Sequence, residues 1–135
     1  MVNHPFTPAR IRQAGNNLSE LLKALTMGDF DRLAELAEYE AMTLHALIMS
    51  SQGGMILMEP NTIQIVKKIQ AVRQRGLAVF FTLDAGPNVH LLYPESAVSV
   101  VGTFIREELL SLCENGSIIY DYCGTGPIQN KTETQ

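Results

Sequence analysis

From Thr7 onward apolar residues return at helical spacing, with Ile11, Ala14, Leu18, Leu21, Leu22 and Leu25 on one face of a helix. Thr7-Pro8 marks its entry, a hydroxyl cap followed by proline at the first helical position. Met27-Gly28-Asp29 breaks the pattern, and Leu33, Leu36, Ala37, Leu44, Leu47 and Ile48 trace a second stripe to about Met49. Two helices joined this tightly predict an antiparallel hairpin with both stripes turned inward.

The pattern then changes. Residues 50–54 read as a loop, and 55–58, short and apolar between turn residues, predict a strand. Pro60 opens a third helix with Ile65, Val66, Ile69 and Val72 inside and Lys67, Lys68, Arg73 and Arg75 outside, and Gly76 closes it. Strands over 77–83 and 88–93 flank a turn at Asp84. A fourth helix over 95–114 faces inward with Val98, Val101, Ile105, Leu109 and Leu112, Asn115-Gly116 stops it, and 118–122 predicts a last strand. The order strand, helix, strand, strand, helix, strand is the split βαβ or ferredoxin-like arrangement. The fold class is therefore α+β: a four-stranded antiparallel sheet with helices on one face, preceded by the helical hairpin. One domain over 1–128 and a fraying polar tail over 129–135 complete the expected organisation.

Composition narrows the function. A chain of 135 residues, 46% hydrophobic and 18% charged, can bury one core. Its net charge of −4 provides no basic field for a phosphate backbone, which argues against a nucleic-acid partner. Cys113 and Cys123 make neither metal spacing nor a disulfide framework, so a reducing cytoplasm is the expected location. No apolar run reaches membrane-spanning length, and the first residues lack the regions of a signal peptide. Val2 to Phe6 reads like the interior of a longer protein.

The candidate chemistry centres on Asp84-Ala85-Gly86-Pro87-Asn88. Asp, Gly, Pro and Asn each have a backbone reason to occupy a turn. Against that plain reading, two strongly apolar strands converge on Asp84, the only acid between Leu77 and Tyr93. His45, beside Ala41 and Met49, reads first as a core histidine satisfied by a hydrogen bond. Glu40 falls near the apolar face of its helix and needs a partner or an edge. His90 alternates with Val89 and Leu91 and is expected on the surface. Ser50-Ser51-Gln52-Gly53-Gly54 lacks the Gly-Lys-Ser/Thr ending of a phosphate loop, and Gly124-Thr125-Gly126-Pro127 has no helix to follow it. The methionines read as core filling.

At Phe81-Thr82-Leu83-Asp84-Ala85-Gly86-Pro87-Asn88, Glu40-Ala41-Met42-Thr43-Leu44-His45-Ala46 and Gly124-Thr125-Gly126-Pro127, the chain resembles the C-terminal half of diphosphomevalonate decarboxylases, members of the GHMP kinase superfamily. The resemblance implies an enzyme of the mevalonate route to isoprenoids. Its reaction converts diphosphomevalonate and ATP, with Mg2+, to isopentenyl diphosphate, ADP, phosphate and carbon dioxide. Asp84 matches the family's catalytic aspartate, and Ala85, Gly86, Asn88 and His45 become substrate-binding candidates. A carboxylate is too weak a base to strip a free alcohol, so proton transfer must accompany phosphoryl transfer, with positioning supplying most of the acceleration. The family's N-terminal domain, which holds ATP and most cations gripping the diphosphate, is absent from this sequence. The chain alone is therefore expected neither to decarboxylate nor to hold ATP tightly, and its first partner is that domain. A homodimer is a further partner on the superfamily's precedent, although no long exposed apolar stripe is evident. The rival readings are a small-molecule GHMP kinase and a free-standing ferredoxin-like module that binds a ligand or dimerises by its sheet.

Overall fold

A left-handed glycine separates the first two helices. α1 (Thr7–Met27) stops at Gly28, whose φ of 68° suits a residue without a Cβ, and Asp29 then caps α2 (Phe30–Ser50) by accepting the Arg32 N–H at 3.0 Å. The computed structural model describes residues 4–124 and Gly126. The terminal Gly-Thr-Gly-Pro turn lies partly, and the tail over 129–135 wholly, outside the described residues. Thr7 is the first helical residue rather than the cap, a position taken by Phe6, and Pro8 sits in the first turn. His4 ties this start to the end of α2. Its Nδ1 accepts the Phe6 N–H at 3.1 Å, which leaves the proton on Nε2 to donate to Ser50 Oγ at 3.0 Å.

The hairpin forms, but α1 is rotated relative to expectation. Ile11, Leu18, Leu22 and Leu25 are all more than half exposed, and Ala24 is the buried residue of this helix. α1 meets α2 through polar side chains instead: Arg10 and Asn17 both bind Glu40, and Gln13 reaches Thr43 Oγ1 at 3.5 Å. Glu40 is thus paired, as a carboxylate near an apolar face must be. The exposed row from Ile11 to Leu25 runs about 21 Å along the helix, so a long apolar stripe does exist on this chain. Periodicity reports that a helix has an apolar face; what covers that face depends on neighbours outside the local window.

α3 (Pro60–Gln74) leads into an antiparallel pair, β1 (Phe80–Leu83) with β2 (Val89–Leu92), in the register Phe80 to Leu92 and Leu83 to Val89. β1 is covered on both faces. Phe81 and Val79 are fully buried, and Phe80, pointing the other way, meets the Phe30 ring of α2 edge-on at 5.4 Å. β2 alternates, with Val89 and Leu91 half-buried and His90 and Leu92 outward. The core joins Val66 and Ile69 of α3 to Phe81, Leu83, Val101, Phe104, Ile105 and Leu109.

Where the sequence predicts four strands, two form among the described residues. Segments 55–58 and 118–122 are irregular, although Met58 and Ile118 pack against the core. Met55, Ile56, Ile119 and Tyr122 are all more than half exposed, and a short apolar segment without a paired edge has no ladder to hold it. The helix expected over 95–114 is also broken. A 3-10 turn (Glu95–Ala97) precedes α4 (Val98–Phe104), then a π turn (Ile105–Leu109) and a 3-10 turn (Leu110–Leu112). Val98, Val100, Val101, Thr103 and Gly102 are weak helix formers, and the wider π turn keeps Ile105 and Leu109 both against the core. Val98, expected inside, is exposed.

Because their side chains face solvent, replacing Leu18 and Leu22 of this chain together with Gln should alter unfolding free energy by only about 0.5 kcal/mol. Phe81→Ala should cost about 3–5 kcal/mol. Urea unfolding of the variants measures both, and a loss of several kcal/mol in the leucine pair would mean that α1 buries that face.

Candidate functional site

The hairpin turn is built from its ends inward. β1 delivers Leu83 to the core and the chain emerges at Asp84, whose side chain is 89% exposed. The Asp84 carbonyl accepts the Gly86 N–H at 2.8 Å, which tightens the turn. It also accepts a hydrogen bond from His45 Nε2 at 2.9 Å, which reaches it from α2. A carbonyl can only accept, so the His45 proton sits on Nε2. On the far side, Thr62 Oγ1 donates to the Pro87 carbonyl at 2.7 Å while accepting the Glu59 N–H at 3.2 Å from the first turn of α3. His45 and Thr62 are both buried, at 1% and 3% exposure.

The candidates from sequence therefore divide. Asp84, Ala85 and Asn88 are exposed together at the tip, and Gly86 is half-buried beside them. His45 lies beneath the tip, its Nε2 bound to main chain. His90 is on the surface as expected, its Nε2 3.4 Å from Asp84 Oδ2, a loose contact between exposed groups worth little energy. Ser50 and Ser51 turn their hydroxyls back to the Ala46 and Leu47 carbonyls of α2, at 2.7 and 2.6 Å. Thr62 was not singled out by sequence; Glu59-Pro60-Asn61-Thr62 at a helix start was its only signal, and that signal explains a cap.

A second polar group supports β1 from below. Glu38 of α2, 6% exposed, accepts the Phe81 N–H at 3.3 Å, and Arg73 Nη1 of α3 lies 2.6 Å from the same Oε1. Arg73, expected outside, is drawn inward because an ionised carboxylate at this depth requires a counter-charge. Burial pushes the Glu38 carboxyl above its ordinary value, and Arg73 and the Phe81 N–H offset only part of that rise.

Among the described residues no group of three or more His, Cys, Asp or Glu could hold a metal ion. Asp84 belongs to no such group, so among the described residues no cluster of donors marks a divalent-cation site at the turn. Shallow grooves lie between α3 and α4, lined by Val72, Arg75 and Phe104, and along α1 by Ser19, Leu22 and Lys23; neither includes Asp84.

An α+β domain that presents one carboxylate from a braced hairpin is the class this geometry defines. The chain belongs to the family described as mevalonate 5-diphosphate decarboxylase C-terminal domain, which matches residues 5–130. It is 26% identical over 132 residues to the phosphomevalonate decarboxylase of Haloferax volcanii, covering 97% of this chain and 39% of that protein. The solved mevalonate diphosphate decarboxylase of Enterococcus faecalis, studied for ATP binding mediated by mevalonate diphosphate, superposes with a TM-score of 0.74 at 25% identity, over 81% of this chain and 34% of that one. A structure described as "MDDEF in complex with MVAPP, AMPPCP and Magnesium" gives a TM-score of 0.74 at 25% identity, over 81% and 33% of the two chains. The chain thus spans little more than a third of the length of these relatives. No helix among the described residues is long and apolar enough to cross a membrane.

The Glu38 shift fixes a pH dependence. A carboxyl held above its ordinary 4.5 in the folded chain favours folding most below that value, and the contribution is lost as pH rises through the raised folded value. Glu38→Gln removes the ionisation and keeps an acceptor for the Phe81 N–H. The variant should therefore gain stability relative to the parent as pH rises from about 4 to about 7. Urea midpoints across that range would show it, and parallel profiles would refute it.

Proposed function

We propose that this chain is the C-terminal domain of an ATP-dependent decarboxylase that converts diphosphomevalonate to isopentenyl diphosphate in the mevalonate pathway. The observation that carries this reading is the Asp84 carboxylate, exposed at a rigidly supported turn within a chain matched to the decarboxylase family over residues 5–130. In that reaction the substrate's tertiary hydroxyl takes the terminal phosphoryl group of ATP, and the new phosphate leaves as the carboxylate departs as carbon dioxide. Asp84 accepts a hydrogen bond from that hydroxyl, aims its oxygen, and takes its proton as the oxygen–phosphorus bond forms. Ala85, Gly86 and Asn88 surround the acid and would line the substrate's path to it.

ATP and Mg2+ are held by the part of the polypeptide that this chain does not include. The domain accordingly supplies one wall of an active site, and its own N-terminal domain supplies the other, in the cytoplasm. The similarity to relatives over only about a third of their length supports that division. A second substrate is favoured by one specific comparison, since the relative matching 97% of this chain is a phosphomevalonate decarboxylase. The phosphate count of the substrate would then be read by the other wall.

In the complete polypeptide, Asp84→Asn should lower ATP-dependent carbon dioxide release by about 100- to 10,000-fold while substrate binding is retained. Turnover near the parent's would remove Asp84 from the chemical step. Assaying diphosphomevalonate beside phosphomevalonate decides between the two substrates, and turnover by the isolated chain would contradict the division of the site.

A further inference from the structure

We infer that His45 and Thr62 are positioning residues for Asp84, acting through the turn's main chain rather than on substrate; the inference rests on the catalytic reading of Asp84. Among the described residues the Asp84 side chain has only the loose His90 contact at 3.4 Å, so what the fold itself fixes is the backbone that bears it and hence where its Cα–Cβ bond points. That backbone is fixed from two helices. The Asp84 carbonyl has two lone-pair directions, and both are filled, one by Gly86 N–H at 2.8 Å and one by His45 Nε2–H at 2.9 Å. The peptide plane after Asp84 therefore cannot rotate without leaving the buried imidazole proton unpaired, a loss that burial makes costly.

The opposite end of the turn is held in the same way. Pro87 has no N–H to give, and its carbonyl takes the single hydroxyl proton of Thr62 at 2.7 Å, whose oxygen is in turn filled by the Glu59 N–H. α2 thus grips the turn at Asp84 and α3 grips it at Pro87, each with a polar side chain sealed from water. A substrate could reach neither group without opening the core, whereas any shift of either helix would re-aim the carboxylate.

The test uses the complete polypeptide. His45→Leu and Thr62→Val keep side-chain volume and delete one clamp each; each should lower kcat about 10- to 100-fold with KM within about threefold, the cost of misplacing a reacting group by about an ångström. His45→Gln and Thr62→Ser, which restore a donor at similar reach, should recover most of the rate at unchanged thermal stability. Wild-type kcat in folded His45→Leu and Thr62→Val overturns the inference, as does a raised KM with kcat unchanged, which would place His45 in substrate binding. Should His45→Leu fail to fold, the Thr62→Val and Thr62→Ser pair decides alone. Asp84→Asn separates the two levels. Its retaining turnover would defeat the catalytic reading itself, while its losing turnover beside fully active clamp variants defeats only the positioning role.

Discussion

One main-chain oxygen, the carbonyl of Asp84, joins the helical hairpin to the tip of the strand pair. It takes an imidazole proton from α2 and an amide proton from its own turn, and both donors are held by structure that cannot yield cheaply. The contrast with the side chain of the same residue is instructive. Its contact to His90 is long and open to solvent, where even a full ion pair contributes between nothing and about 1 kcal/mol. A buried donor stripped of its acceptor costs about 1–3 kcal/mol. The backbone clamp therefore sets the geometry, and the carboxylate is left free for another group to engage.

The same economy appears one layer down. β1 pairs with β2 on one edge, and its Phe81 N–H is answered by the buried carboxylate of Glu38 rather than by another strand. That arrangement draws Arg73 out of the solvent face of α3 and fixes α2, α3 and β1 to one another at a single oxygen. Burial disfavours the ionised carboxylate, and Arg73 and the Phe81 N–H only partly compensate.

The rest of the molecule is less closed. α1 touches α2 through Arg10, Gln13 and Asn17 and leaves a row of leucines exposed, and the apolar segments beside the core do not complete the sheet. These features agree with a chain spanning little more than a third of its relatives, whose Asp84 carboxylate faces outward. On the proposed reading, in which this chain supplies one wall of the site, the acid would need to be held stiffly.

What the sequence determined is what local chemistry controls. Gly28, Gly76 and Pro60 punctuate the chain where expected, the helical stripes lie over α1, α2 and α3, and the hairpin places Asp84 at its tip. The residues Asp84-Ala85-Gly86-Pro87-Asn88 also carried enough resemblance to name the family in advance. Tertiary structure alone decided which face of α1 is buried, whether the flanking apolar segments find a strand partner, and that Arg73 turns inward. It decided as well that His45 and Thr62 meet the turn, across 39 and 25 residues of chain. Periodicity and turn propensity act over a few residues, whereas a buried hydrogen bond depends on which distant carbonyl the packing brings within about 3 Å.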